Sequence, residues 1–202
     1  MATHSAKSLF DGNVASADNC ITLYDGILGM HTTLDLSWLL RAAVVFTVSA
    51  LDAYFHDKIK YRAGKYKIDQ LPPELQGFPI ELNDINSWAK YTSRPGNFIR
   101  NVVARRYSTR PLQKRKDIEE ALALVGIKSL WNTVEPQNDA RTAMLKRLSD
   151  VIQRRNQIAH EGDRLQSRKG GKKIRPIDRP YATGEIAFVK DLVTKIESAF
   201  PI

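Results

Sequence analysis

A chain of 202 residues, 43% hydrophobic and 26% charged, suffices for one domain with a substantial core and excludes an intrinsically disordered polymer. Its 31 Lys and Arg against 22 Asp and Glu give a net charge of +9, which favours polyanionic partners such as nucleic acid; a protein that is simply basic fits the same numbers. The single cysteine, Cys20, excludes an intrachain disulfide and points to a reducing, cytoplasmic setting, in which a lone thiol is a packing residue.

The opening MATHSAKSLFDGN lacks an apolar core of signal-peptide length. Ala6 to Leu28 reads as a helix, with Leu23, Ile27 and Leu28 at helical spacing and Gly29 as its stop. Thr33 or Asp35 caps a second helix running to about Lys60. Its Leu39, Ala43, Phe46, Ala50 and Ala53 spacing suits close helix packing. The most apolar stretch, Leu34 to Phe55, lies there, but Asp35, Arg41 and Asp52 interrupt it. The uncharged remainder, AAVVFTVSAL, is too short to span a bilayer, so a buried central helix is expected and no membrane partner.

Gly64 to Pro79, with Pro72, Pro73, Gly77 and Pro79, reads as a loop. Asn83 or Asp84 caps a short turn through Tyr91, broken by Ser93-Arg94-Pro95-Gly96. Asn97 to Tyr107 is a basic amphipathic helix, with Phe98, Val102 and Val103 on one side and Arg100, Arg105 and Arg106 around the other. Lys116 to Val125 is a helix ended by Gly126. Asp139 to Glu161 is the longest late helix, carrying the stripe Met144, Leu145, Leu148, Val151, Ile152 and stopping at Gly162. A basic loop, 164–180, precedes the last helix, Thr183 to Phe200, with Ile186, Val189, Leu192, Val193 and Ile196 apolar. With neither strand alternation nor internal repeats, the expected class is all-α: a helical bundle with inserted loops, forming a single domain over 1–202.

The late helix ends in QRRNQIAHEGD, Gln153 to Asp163. Asn156 and His160 are four apart and share a face; Arg155 is offset from His160 by roughly 140°, within the swing of an arginine side chain. Ile158 and Ala159 are expected to keep the other side against the core. Each of the three polar residues has an ordinary reading. Arginine and histidine complement the negative end of the helix dipole, and asparagine before a cap is unremarkable.

Arg155-Asn156-Gln157-Ile158-Ala159-His160 resembles the arginine–four residues–histidine motif of the HEPN superfamily (named for higher eukaryotes and prokaryotes nucleotide-binding), in which a polar residue commonly follows the arginine. The central AAVVFTVSALDAYFHDKI is similar to the second helix of these proteins, with Asp52 as the acidic residue and Tyr54 as the aromatic. The combination looks closest to the RiboL-PSP-HEPN-like branch. The resemblance implies a HEPN-type bundle and a homodimeric, metal-independent endoribonuclease, with Arg155, His160 and Asn156 catalytic and Asp52 holding Arg155 from the facing helix. It needs no cofactor and no metal. It also suggests a toxin or defence effector, with an antitoxin or other regulatory protein as a partner. Two rival readings stand beside it: a non-catalytic RNA-binding or scaffold domain, and a module regulated by a nucleotidyltransferase.

Two basic tracts, Arg94 to Arg115 and Arg164 to Arg179, read either as solvated surface or as RNA-backbone contacts. Arg154, Arg164, Arg168, Lys169, Lys172, Lys173 and Arg175 are the candidate RNA-binding residues. Tyr107 and Tyr181 flank the tracts and are candidates to stack a base. Asp52 and His56 lie four apart without a further ligand at metal spacing, which makes His56 a helix-end histidine rather than a zinc ligand. His4 and His31 carry no pattern, and Gly170-Gly171 lacks the context of a phosphate loop.

Overall fold

Phe10, Val14, Ala17 and Ile21 recur every three or four residues along the first helix and are all buried, and that stripe fixes how the helix lies. The computed structural model describes residues 5–30, 33–165 and 173–201. Helix α1 (Ala6–Leu28) begins at Ser5. The Ser5 hydroxyl accepts from Ser8 N at 3.1 Å while Ser5 N donates to Ser8 Oγ at 3.0 Å, a reciprocal cap.

Helix α2 (Ser37–Ala63) is the centre of the bundle. Leu39, Leu40, Ala43, Val44, Val48, Leu51, Tyr54, Phe55 and Ile59 are buried around most of its circumference, as expected of a core helix. Helix α1 packs along it, and α5 (Pro95–Tyr107), α8 (Asn138–Glu161) and α9 (Arg179–Ala199) surround the rest. A window of α2 meets the length and hydropathy of a membrane span, with mean hydropathy 1.4, but 56% of that window is buried against other helices. Near its end the fully buried Lys58 donates to Glu197 Oε1 at 2.9 Å and to the Phe200 carbonyl, while Tyr54 donates to the same Glu197 oxygen at 2.8 Å. A buried ammonium needs such partners.

Shorter elements complete the bundle: α3 (Pro73–Gln76), α4 (Leu82–Trp88), α6 (Arg115–Leu124), which packs on α2 and α3, and α7 (Leu130–Val134), which packs on α8 and α9. Among the described residues there are no strands, only one isolated antiparallel bridge, Arg164 to Ile174. The fold class is therefore all-α.

Several expectations are revised. Gly64 to Pro79 is not wholly loop: Ile68–Gln70 makes a 3₁₀ turn, and Pro73 opens α3 with its backbone φ already set. Glu81, not Asn83 or Asp84, caps α4; Asp84 answers from the fourth position by accepting from Glu81 N at 2.9 Å. Helix α7 has five residues, too few for periodicity to show, yet it buries Leu130, Trp131 and Val134. Phe46, Leu23 and Leu28 are exposed rather than packed, and Ala159 faces outward. The expected thiol role holds: Cys20 is buried in the core, and burial pushes its thiol up.

Candidate functional site

Leu148, Val151 and Ile152 form the buried stripe of α8, and Arg155 stands seven, four and three residues beyond them. By helical spacing it occupies the next position of the core face, where an apolar residue would ordinarily sit. A guanidinium there is half-buried. Its Nη1 donates to Asn156 Oδ1 at 3.1 Å, its Nε is buried with no partner, and its Nη2 makes no hydrogen bond among the described residues. A buried donor without a partner costs about 1–3 kcal/mol, so packing does not explain this side chain.

His160 is in the last turn and exposed, with no hydrogen bond among the described residues. No bond joins it to Arg155. The structure thus ties Arg155 to Asn156 and leaves the imidazole facing solvent on a neighbouring face of the same helix end.

The chain immediately beyond α8 is built rather than loose. Gly162 and Asp163 take left-handed conformations (φ 60° and 57°), and Asp163 N donates to Gln157 O at 2.9 Å, closing the helix. Asp163, 1% exposed, turns its carboxylate inward. Oδ2 accepts from Arg41 Nε of α2 at 2.7 Å and from Arg154 Nη2 at 2.9 Å, while Oδ1 is buried without a partner among the described residues. The same guanidinium groups reach the incoming chain: Arg41 donates to Arg175 O and Arg154 to Pro176 O. Arg175 N donates to Asp163 O, and Arg175 Nη1 to Arg164 O at 2.7 Å. Burial lowers the Arg154 guanidinium below its ordinary range, against the opposing pull of Asp163.

These contacts correct several assignments. Arg154 is not a free RNA ligand; its side chain is 13% exposed and committed to Asp163 and Pro176. Arg175 is likewise bound into the turn. Arg164 and Lys173 are exposed, with no side-chain bond among the described residues. Arg168, Lys169 and Lys172 lie outside the described residues, as do His4 and His31. Asp52 does not hold Arg155: its Oδ1 accepts from Leu112 N at 2.6 Å and lies 3.9 Å from His56 Nε2, because it points toward the segment linking α5 and α6. Tyr107 is buried and cannot stack a base, whereas Tyr181 lines an open groove. In the first basic tract, Arg105 pairs with Asp84, Arg110 with Asp117 and Glu120, and Arg115 with Glu119.

Sequence reasoning missed the Arg41–Asp163–Arg154 cluster. The one signal available was an aspartate directly after a Gly stop, since Asp tolerates the left-handed conformation. Its partner, 122 residues away, leaves no local trace.

Comparison with known families finds that the model described as RiboL-PSP-HEPN matches residues 17–200, spanning α2, α8 and the Arg155–His160 stretch. No curated protein and no solved structure matches the chain.

Proposed function

The chain belongs to the RiboL-PSP-HEPN family, and from that membership and the geometry at the end of α8 we propose that it is a metal-independent endoribonuclease working as a homodimer. RNA carries its own nucleophile in the 2′-OH. His160 takes the 2′-OH proton, the oxygen attacks phosphorus, the P–O5′ bond breaks, and an imidazolium protonates the leaving oxygen. The products are a 2′,3′-cyclic phosphate and a 5′-hydroxyl. Arg155 places a permanent planar cation against the phosphate as charge develops, and Asn156 holds that fork by one edge.

In an in-line displacement the attacking 2′-oxygen and the leaving 5′-oxygen lie on opposite sides of phosphorus, so one imidazole is poorly placed to serve both. Two copies of the chain about a twofold axis supply the second, which is why the reading requires a dimer. The dimer also pools the positive charge of Arg164 and Lys173 from each copy around the cleft.

The observation that carries this reading is Arg155: a half-buried guanidinium in a core position, with Asn156 as its one bonded partner among the described residues and a buried Nε left over. The test is incubation of wild-type and His160→Ala protein with RNA in the presence of a chelator, followed by mapping of the ends. Wild type is expected to leave cyclic-phosphate ends, and the variant to lose at least ~10²-fold in rate while remaining dimeric. A 2′-deoxy substitution at the cut site should block cleavage. RNA bound with equal affinity but never cut, at any protein concentration, would instead support a non-catalytic RNA-binding domain.

A further inference from the structure

Between the middle of α8 and the start of α9 lies an open groove of about 490 Å³ whose walls include Asp150, Gln153, Arg154, Gln157, Ile177 and Tyr181. Its α8 wall is a single helical stripe, and the stripe runs on to His160: Gln153, Gln157 and His160 are spaced by four and three residues. Gln157 and His160 are separated by about 4.5 Å of helix rise.

The chemistry of the walls argues against a phosphate. Among the described lining residues the one cation is Arg154, whose guanidinium is already committed to Asp163 and the Pro176 carbonyl, and the groove also carries the Asp150 and Asp178 carboxylates. What the groove offers instead is a half-buried phenol ring in Tyr181, an apolar wall in Ile177, and two carboxamides. The Gln153 and Gln157 side chains make no hydrogen bond among the described residues, so each presents a free donor and a free acceptor. Asp150 gives one oxygen to Lys146 at 2.6 Å and leaves the other as an acceptor. Apolar side chains beside free carboxamides and an acceptor-only group suit a flat, amino-bearing heterocycle.

We propose that this groove is a nucleobase site, placed beside His160 to hold a base next to the scissile phosphate and selective for bases with an exocyclic amino group over uracil. Tyr181 and Ile177 sandwich the base, Gln153 and Gln157 read its edge, and Asp150 accepts from the amino group. Uracil turns carbonyl oxygens toward that carboxylate and is repelled. The placement next to the cut rests on the nuclease reading; the site itself does not.

Binding of 2′-O-methyl oligonucleotides of A, C, G and U, which lack the nucleophile and stay uncut, tests the groove independently of catalysis. Wild type is expected to bind the U oligomer about tenfold more weakly than the A oligomer. Asp150→Asn, an exposed position, should remove most of that difference by supplying an amide donor. Gln157→Leu should weaken the A oligomer about tenfold, and Tyr181→Leu should weaken all four. If protein that cleaves RNA binds all four oligomers alike and none of these variants changes that, the inference is overturned while the nuclease reading stands. If the base preference depends on Asp150 and Gln157 in a protein that cuts nothing, the groove is upheld and the nuclease reading fails.

Discussion

Arg41 Nε and Asp163 Oδ2, 122 residues apart in sequence, meet at 2.7 Å and lock the end of α8 to the first turns of α2. Their side chains are 14% and 1% exposed, so the pair is shielded from solvent, and Arg154 completes it from the other side. Three residues upstream is His160. The position of the proposed catalytic imidazole is therefore set by a buried charge cluster that takes no part in the chemistry.

Removing the carboxylate leaves two buried guanidinium groups without their counter-ion. Asp163→Ala is expected to lower stability by about 3 kcal/mol, which at about 2–4 °C per kcal/mol for a chain of this size is a fall in Tm near 10 °C. Asp163→Asn keeps an acceptor and the left-handed conformation and should lose less. Thermal unfolding followed by circular dichroism decides it, and an unchanged Tm in Asp163→Ala would show that the cluster does not latch the helix end.

Arg155→Lys keeps the charge and most of the volume but loses the planar fork and the bond to Asn156. The cleavage step is expected to slow by about 10²-fold in single-turnover assays, with Tm and RNA affinity little changed. Wild-type rates in this variant would reduce Arg155 to a source of positive charge.

Asp52 separates two roles. Its Oδ1 accepts from Leu112 N, an amide in the fully buried surroundings of Leu112. Asp52→Ala should cost about 1–3 kcal/mol by orphaning that donor, whereas Asp52→Asn, which still accepts, should keep both stability and cleavage. Normal stability with lost cleavage in Asp52→Asn would return Asp52 to the site as a partner of Arg155.

Four carboxyl groups are held below their ordinary ranges by hydrogen bonds: Asp25 to Arg179, Asp35 to Ser37, Glu74 to Lys128 and Glu120 to Arg110. A folded-state value below the unfolded one means stability that is fully present above the unfolded pKa of about 4 and is lost as the pH falls further. Urea midpoints should be flat at neutral pH and drop below about pH 4. Because these pairs are exposed, the drop should shrink in high salt. A midpoint independent of pH down to the acid limit would contradict it.

Much of the molecule is legible in the sequence because its signals are local. The near-uniform apolarity of α2 and the glycines after α1 and α8 each act within a few residues and place those helices well, whereas Leu23 and Leu28 of the Leu23, Ile27, Leu28 spacing lie toward solvent and α9 opens at Arg179, four residues before the expected Thr183. Arg155 is legible through the motif it forms with Asn156 and His160; that it stands one step beyond the buried stripe Leu148, Val151, Ile152 is a finding of the structure. The five-residue α7 gave no such signal, and it is held by burial of Trp131 rather than by its own propensity.

What the sequence determined by itself was the helical class, the central helix and the motif at the end of α8, since hydrophobic period and capping are written in neighbouring residues. Only the tertiary structure decided which charges are free. Arg154 and Arg164 look alike on paper; one is spent on Asp163 and the other is exposed. The reason is that burying an arginine requires a counter-charge at hydrogen-bond distance, and that counter-charge is put in place by the packing of α8 against α2, which local sequence does not encode.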